Sequence, residues 1–479
     1  MMRKLNLTLS TLCLLFLASC TLHPNYERPS IEMAENWHTP LSTKNAVDIR
    51  WWGQFSDPIL DNLITKALYN NQDLKAAMAR VDQVQAQLGI SKSKLYPQLQ
   101  SDGTGTREKT STSSATAVPS GVASTFNTFG WQLNASYLVD VWGEIRSGVE
   151  AADHQWLASI EARRTVVLGL ISSVASTYFQ LRQYDQQLLI SIRTQKDLEH
   201  QLYLATIRFE LGLTSQIEVE QAIAEVKTTI VEVENRQIEI AQMENLLCVL
   251  IGEPSVAIAR GCPLNQIAMI PAIPDYLPSE ILNQRPDIRA AEHQLIAANA
   301  QIGVAKAKFF PQLSLNGALG AQSLLLNNLF TYPASIWEYG TSLIQEVFTG
   351  GRLINNLRLT EAMQREALHQ YVSTVLTAFK EVNNALTSHK IFLEQVETEK
   401  TKVESLARYL HLSNLRYKEG QIDYLTFLDA ERQFFQSQLD CQAVIGNSFL
   451  SLVQIYQALG GSWVIEADAN AVENRDHPK

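Results

Sequence analysis

Past residue 17 this 479-residue chain has no apolar run approaching the roughly 18–20 residues that a membrane-spanning helix needs. Its mean hydropathy of -0.08 excludes a polytopic helical membrane protein. Any membrane contact must therefore come from strands. Catalytic signatures are missing too. There is no His-Glu-x-x-His and no phosphate-cradling glycine loop, and Gly103-Thr104-Gly105 lacks the third glycine and strand context of a dinucleotide site. The nine histidines are scattered. No catalytic residue, no metal site and no enzyme are expected. Positive charge is scarce, with a formal net charge of -10. Loss of Arg3 and Lys4 with the targeting segment makes the balance more negative still, so nucleic acid is not a partner.

Cysteine is the next shortage. Of five, Cys13 lies in a short apolar stretch behind Arg3 and Lys4, a targeting segment left out of the fold argument. Leu17-Ala18-Ser19-Cys20 ends that segment and resembles a bacterial lipobox, which predicts a signal peptide over residues 1–19 and an N-acyl diacylglycerol lipid on Cys20. Thr21, where an Asp would retain a lipoprotein in the inner membrane, points to the outer membrane. Cys248, Cys262 and Cys441 remain, an odd number without metal-site spacing. A Cys248–Cys262 disulfide is one option in an oxidising periplasm. Apart from the lipid, no cofactor is expected.

What the chain does have is a duplication. Residues 73–103 laid on residues 287–317 without a gap share 12 identities in 31 positions. Ala76, Ala77, Ala86, Gln87, Gly89, Lys92, Lys94, Pro97, Gln98, Leu99 and Gly103 face identical residues 214 positions on. Each copy reads helix, Pro-Gln, strand. The expected organisation is a lead-in over 20–56 with Trp37, Trp51 and Trp52 as anchors, a first repeat over 57–264, a second over 265–463, and a disordered polar tail over 464–479.

Asp57-Pro58 suits a helix start, because Asp accepts backbone N–H bonds and Pro fits the first turn. Strands are expected at about 97–107 and 128–141, and again at about 311–321 and 336–348. In the second, Phe129, Trp131, Leu133, Ala135, Tyr137, Val139 and Val141 alternate with mostly polar residues. A long strand with one apolar and one polar face matches a membrane-barrel strand beside a wet lumen. Proline is absent from residues 143–211 and from 351–419, and the second stretch has no internal glycine. Apolar residues recur three and four apart in both, so two helices of about 100 Å are expected, packed side by side. Gly212 and Gly420 end them. Return helices are expected over 215–251 and 423–459, with Ser215 and Glu218 forming a capping box. Four strands cannot close a barrel, since the smallest transmembrane barrels use about eight. Several copies must pool them, in a number that the spacing alone leaves open.

At this point the chain resembles the TolC-like outer-membrane factors, especially the lipoprotein branch typified by OprM. The resemblance is carried by the duplicated blocks, by Leu-Asn-Gln-Arg-Pro-Asp-Ile-Arg at 282–289, by Phe-Phe-Pro-Gln-Leu at 309–313, and by the turn sequence over 416–432. It implies a mainly α fold with membrane β: a homotrimeric twelve-stranded β-barrel in the outer membrane continuing into a twelve-helix α-barrel, with a mixed equatorial region. It implies export to the exterior, in partnership with a periplasmic adaptor and an inner-membrane RND-type pump. Leu425, Asp429 and Arg432 match the residues that constrict the family's periplasmic aperture, and Asp429 and Arg432, i and i+3 on one helix face, are spaced to pair within or between protomers. Gly212, Thr214 and Ser215, with Gly420, Gln421 and Asp423, are the candidates for adaptor docking. A polypeptide secretion duct and a coiled-coil adaptor are the alternatives.

Overall fold

The computed structural model describes residues 22–32, 37, 50–111, 123–261, 263–264 and 278–476. The expectations at Cys20 and Cys262 lie outside these residues. Cys248 is a free, buried thiol, its Sγ 3.4 Å from the Val256 N–H.

Each repeat lays down a helix, two strands, a long helix and a return helix, and the first has one more 13-residue helix in front. In the first, α1 (Pro58–Asn70) and α2 (Gln72–Ser93) precede β1 (Gln98–Lys109), β2 (Thr125–Val139), α3 (Glu144–Glu210) and α4 (Gln216–Leu250). In the second, α5 (Pro286–Ala307) precedes β3 (Gln312–Ser323), β4 (Ser335–Ile344), α6 (Arg352–Lys418) and α7 (Tyr424–Leu459). The two long helices, α3 and α6, have 67 residues each. Asp57 caps α1 as its sequence predicts, accepting from the Ile59 N–H at 2.9 Å.

The described residues fall into two compact units. One holds residues 22–30, 81–159 and 291–371 and carries the sheet. Its four strands run in the order β1-β2-β3-β4, every pair antiparallel, so the two repeats meet at β2 and β3. Register decides the faces. Trp131 sits opposite Gly103 and Ala321, Leu133 opposite Leu319, and Leu319 opposite Trp337. This apolar side is open: Trp337, Tyr339 and Leu343 are all exposed. On the other face Asn134 donates to Asp102 at 2.7 Å. The lead-in is sewn to this unit. Arg28 donates twice to the Glu292 carboxylate, at 2.7 and 2.5 Å, and Asn299 donates to the Pro24 carbonyl at 2.7 Å.

The other unit holds the aromatic core. Trp51 stacks on Tyr456 with ring centres 4.7 Å apart, and Phe55, Phe179 and Phe449 pack beside them. Trp51 and Trp52 are thus core residues, and Trp37 is buried against Phe379. The tail corrects the sequence reading. Instead of disorder, Ser462–Asp476 form α8, burying Trp463, Val464, Ala467 and Ala471. Those apolar residues recur three and four apart, enough for one buried stripe on a polar segment. Arg163 neutralises the buried Asp468 through two 2.7 Å bonds.

Candidate functional site at the helical hairpins

The turns joining α3 to α4 and α6 to α7 are built alike because a left-handed glycine ends each long helix. Gly212 has φ 71° and Gly420 φ 70°. Past them the Leu213 N–H returns to the Arg208 carbonyl and the Gln421 N–H to the Arg416 carbonyl, both at 2.8 Å. These bonds satisfy helix-end carbonyls that would otherwise lack partners. Gly212, Ser215, Gly420, Gln421 and Asp423 are all exposed, as are the apolar Leu211, Leu213 and Ile217.

The two caps differ from each other. Asp423 accepts from the Thr426 N–H at 3.0 Å and also from the Thr426 hydroxyl, and these bonds hold its carboxyl below the usual range. Ser215 makes no side-chain cap bond, so the expected capping box is not formed. Glu218 is engaged elsewhere: it accepts from the Tyr417 hydroxyl at 3.1 Å. The buried Thr214 hydroxyl has no partner among the described residues.

Between the hairpins lies a small core of Ala222, Tyr424, Phe427 and Leu428, with Tyr417 packed against it. Tyr417 stacks on Phe427 at 5.4 Å. Neither Tyr417 nor its partner Arg208 was singled out from sequence as a site residue. Both stand one turn before the helix-ending glycines, and the matching pairs Arg208-Phe209 and Arg416-Tyr417 are the only local signal of them.

The three aperture candidates share a region of α7 without forming one contact. Leu425 is 52% exposed and Asp429 is exposed, one turn apart on the same open face of α7. Asp429 accepts from Gln433 at 2.6 Å. Arg432 does not pair with it. Its guanidinium crosses to Glu225 on α4, and Glu225 is mostly buried, so the more sheltered carboxylate wins the cation. The expected Asp429–Arg432 pair within one chain is thereby replaced.

Glu431 was also missed. It lies on the buried face of α7, where one carboxylate oxygen accepts from Gln201 at 2.7 Å and the other has no partner among the described residues. Burial pushes its carboxyl up to about 7. Among the described residues no cluster of His, Cys, Asp and Glu could hold a metal ion.

Comparison with known proteins accords with this architecture. The sequence pattern of a family described as "Outer membrane efflux protein" matches residues 63–253 and 277–461, one stretch in each repeat. The toluene efflux pump outer membrane protein TtgC of Pseudomonas putida is 34% identical over 479 residues, covering 97% of both chains. The probable outer membrane lipoprotein SilC of Salmonella typhimurium is 32% identical over 97% of this chain and 100% of its own. Among solved structures, the Campylobacter jejuni CmeC outer membrane channel superposes with a TM-score of 0.88 at 26% identity, covering 94% of this chain and 99% of its own.

Proposed function

The chain belongs to the outer membrane efflux protein family, and from that membership we propose that three copies pool their strands into one barrel and their long and return helices into one tunnel. It is an outer-membrane channel component of a tripartite efflux system. The observation that carries the pooling is the four-stranded sheet with β1 and β4 at its open edges; the number three follows from the family resemblance. Unpaired backbone groups in hydrocarbon cost several kcal/mol each. An exposed apolar face therefore requires the edges to be closed by other copies. Three copies give twelve strands, within the range of known barrels.

In this reading the polar face of the sheet, with Asp102 and Asn134, lines a wet lumen. The acyl chains on Cys20 anchor the start of the chain, as the name of the SilC relative accords with. Leu425, Asp429 and Arg432 narrow the periplasmic end, and Gly212, Thr214, Ser215, Gly420, Gln421 and Asp423 meet a periplasmic adaptor that links the duct to an inner-membrane pump of the RND type. The cargo is small molecules, as in the toluene-exporting relative.

Light scattering of the detergent-purified chain after size exclusion, followed by conductance in planar bilayers, tests the assembly. A mass of three protomers and stepwise channel openings are expected. A stable monomer that stays in solution without detergent overturns the reading.

A further inference from the structure

The loop joining β3 to β4 does not project away from the sheet; it folds back onto the sheet's apolar face. Leu329 and Ala334 are buried against Ala321 and Phe129, and the Phe330 ring lies 6.3 Å from Trp131. Phe129, Trp131 and Ala321 all point to the side that also carries Leu319 and Trp337. With its inner side so anchored, the loop turns Leu324, Leu325, Leu326, Phe330 and Tyr332 outward, 55% to 92% exposed.

Two further properties fit this loop to lipid and not to water. No charged residue occurs between Lys308 and Glu338. Part of the loop's backbone and two of its hydroxyls also bond within the loop, while Asn327 and Asn328 stay exposed, as suits a level beside the headgroups. The Asn328 and Leu329 N–H groups bond to the Leu325 and Leu326 carbonyls at 3.1 and 3.2 Å. Thr331 and Ser335 hydroxyls close onto the carbonyls of Asn328 and Tyr332 at 2.7 and 2.8 Å. Internal satisfaction of this kind is what backbone needs where water is scarce. Tyrosine and tryptophan at its margin are the residues that favour the headgroup boundary. The other hairpin is unlike it: β1 ends in Arg107, Glu108 and Lys109, and Ser and Thr dominate residues 110–116.

We propose that the 324–334 loop is an interfacial anchor, its Leu324, Leu325, Leu326, Phe330 and Tyr332 side chains lodged among outer-leaflet lipids just beneath the headgroups. The loop stands at the strand ends remote from the helices, which places it in that leaflet. This rests on the reading of the sheet as a membrane wall, and the test separates the two.

Leu325→Cys and Phe330→Cys variants of the full chain are reconstituted in phosphatidylcholine–phosphatidylglycerol vesicles and labelled with an environment-sensitive fluorophore. Leu319→Cys reports the strand face and Lys109→Cys the opposite hairpin, with the unsubstituted chain as background. Cys248 and Cys441 are buried. Labels at 325 and 330 should be quenched several-fold more by a nitroxide lipid than by aqueous iodide, as at 319. Quenching by iodide, as at 109, overturns the proposal, and so does protection from both quenchers, which would place the loop under a second copy. If the label at 319 also escapes the nitroxide lipid, the membrane wall itself is refuted.

Discussion

Arg208 donates to the Tyr417 hydroxyl at 2.8 Å and stands over the same ring at 5.1 Å. The bond and the cation–ring contact join the ends of α3 and α6, and the hydroxyl then donates to Glu218 on α4. A single phenol oxygen therefore links three helices at the hairpin turns. Tyr417→Phe keeps the ring stacking and removes both bonds, at about 1 kcal/mol each. The expected result is an assembled trimer of slightly lower thermal resistance whose conductance in planar bilayers rises. Unchanged conductance would make Tyr417 a packing residue only.

Asp429 stands exposed on α7 and accepts from the neutral Gln433 side chain, so its charge is available to a duct. Asp429→Ala should lower cation preference and change single-channel conductance while leaving assembly intact. Reversal potentials in a salt gradient provide the measurement, and an unchanged preference would remove Asp429 from the aperture.

Glu431 makes stability depend on pH in a defined direction. Its carboxyl titrates near 7 when folded, against 4.5 for the ordinary group. The unfolded chain ionises first as pH rises, so the stability that the buried acid form confers is full below 4.5 and is lost between 4.5 and 7. Glu431→Gln keeps the size and abolishes the titration. Melting temperatures across this window should fall for the parent and stay flatter for the variant, with a gain at neutral pH on the order of 2–3 kcal/mol.

Gly420 tests docking. A Cβ added there meets no atom within 4 Å, yet φ of 70° costs an ordinary residue roughly 1–2 kcal/mol. Gly420→Val should therefore distort the turn locally, leave trimers intact and abolish capture of the periplasmic adaptor. Trimers that fall apart would assign the glycine to folding.

The repeat, the helix lengths and the two turns were legible because each depends on local chemistry: an Asp-Pro start, a stretch without proline, a glycine at the end. The faces of β2 were legible for the same reason, since alternation is read within one strand. Partners were not. Arg432 stands three residues from Asp429, yet its carboxylate is 207 positions away, and no spacing rule finds that. The order of the tail is not legible because its polar residues look solvated in sequence, whereas Asp468 is held by Arg163 from α3. The direction of the β3–β4 loop is likewise set by distant partners, through its return to Phe129 and Ala321.

The equal lengths of α3 and α6 bear on how such a chain tolerates change. One residue added to either would carry its end about 1.5 Å further and turn it by about 100°, parting Arg208 from Tyr417. Insertions are thus survivable only in compensating pairs, one in each long helix, and drift in either half is policed by its twin.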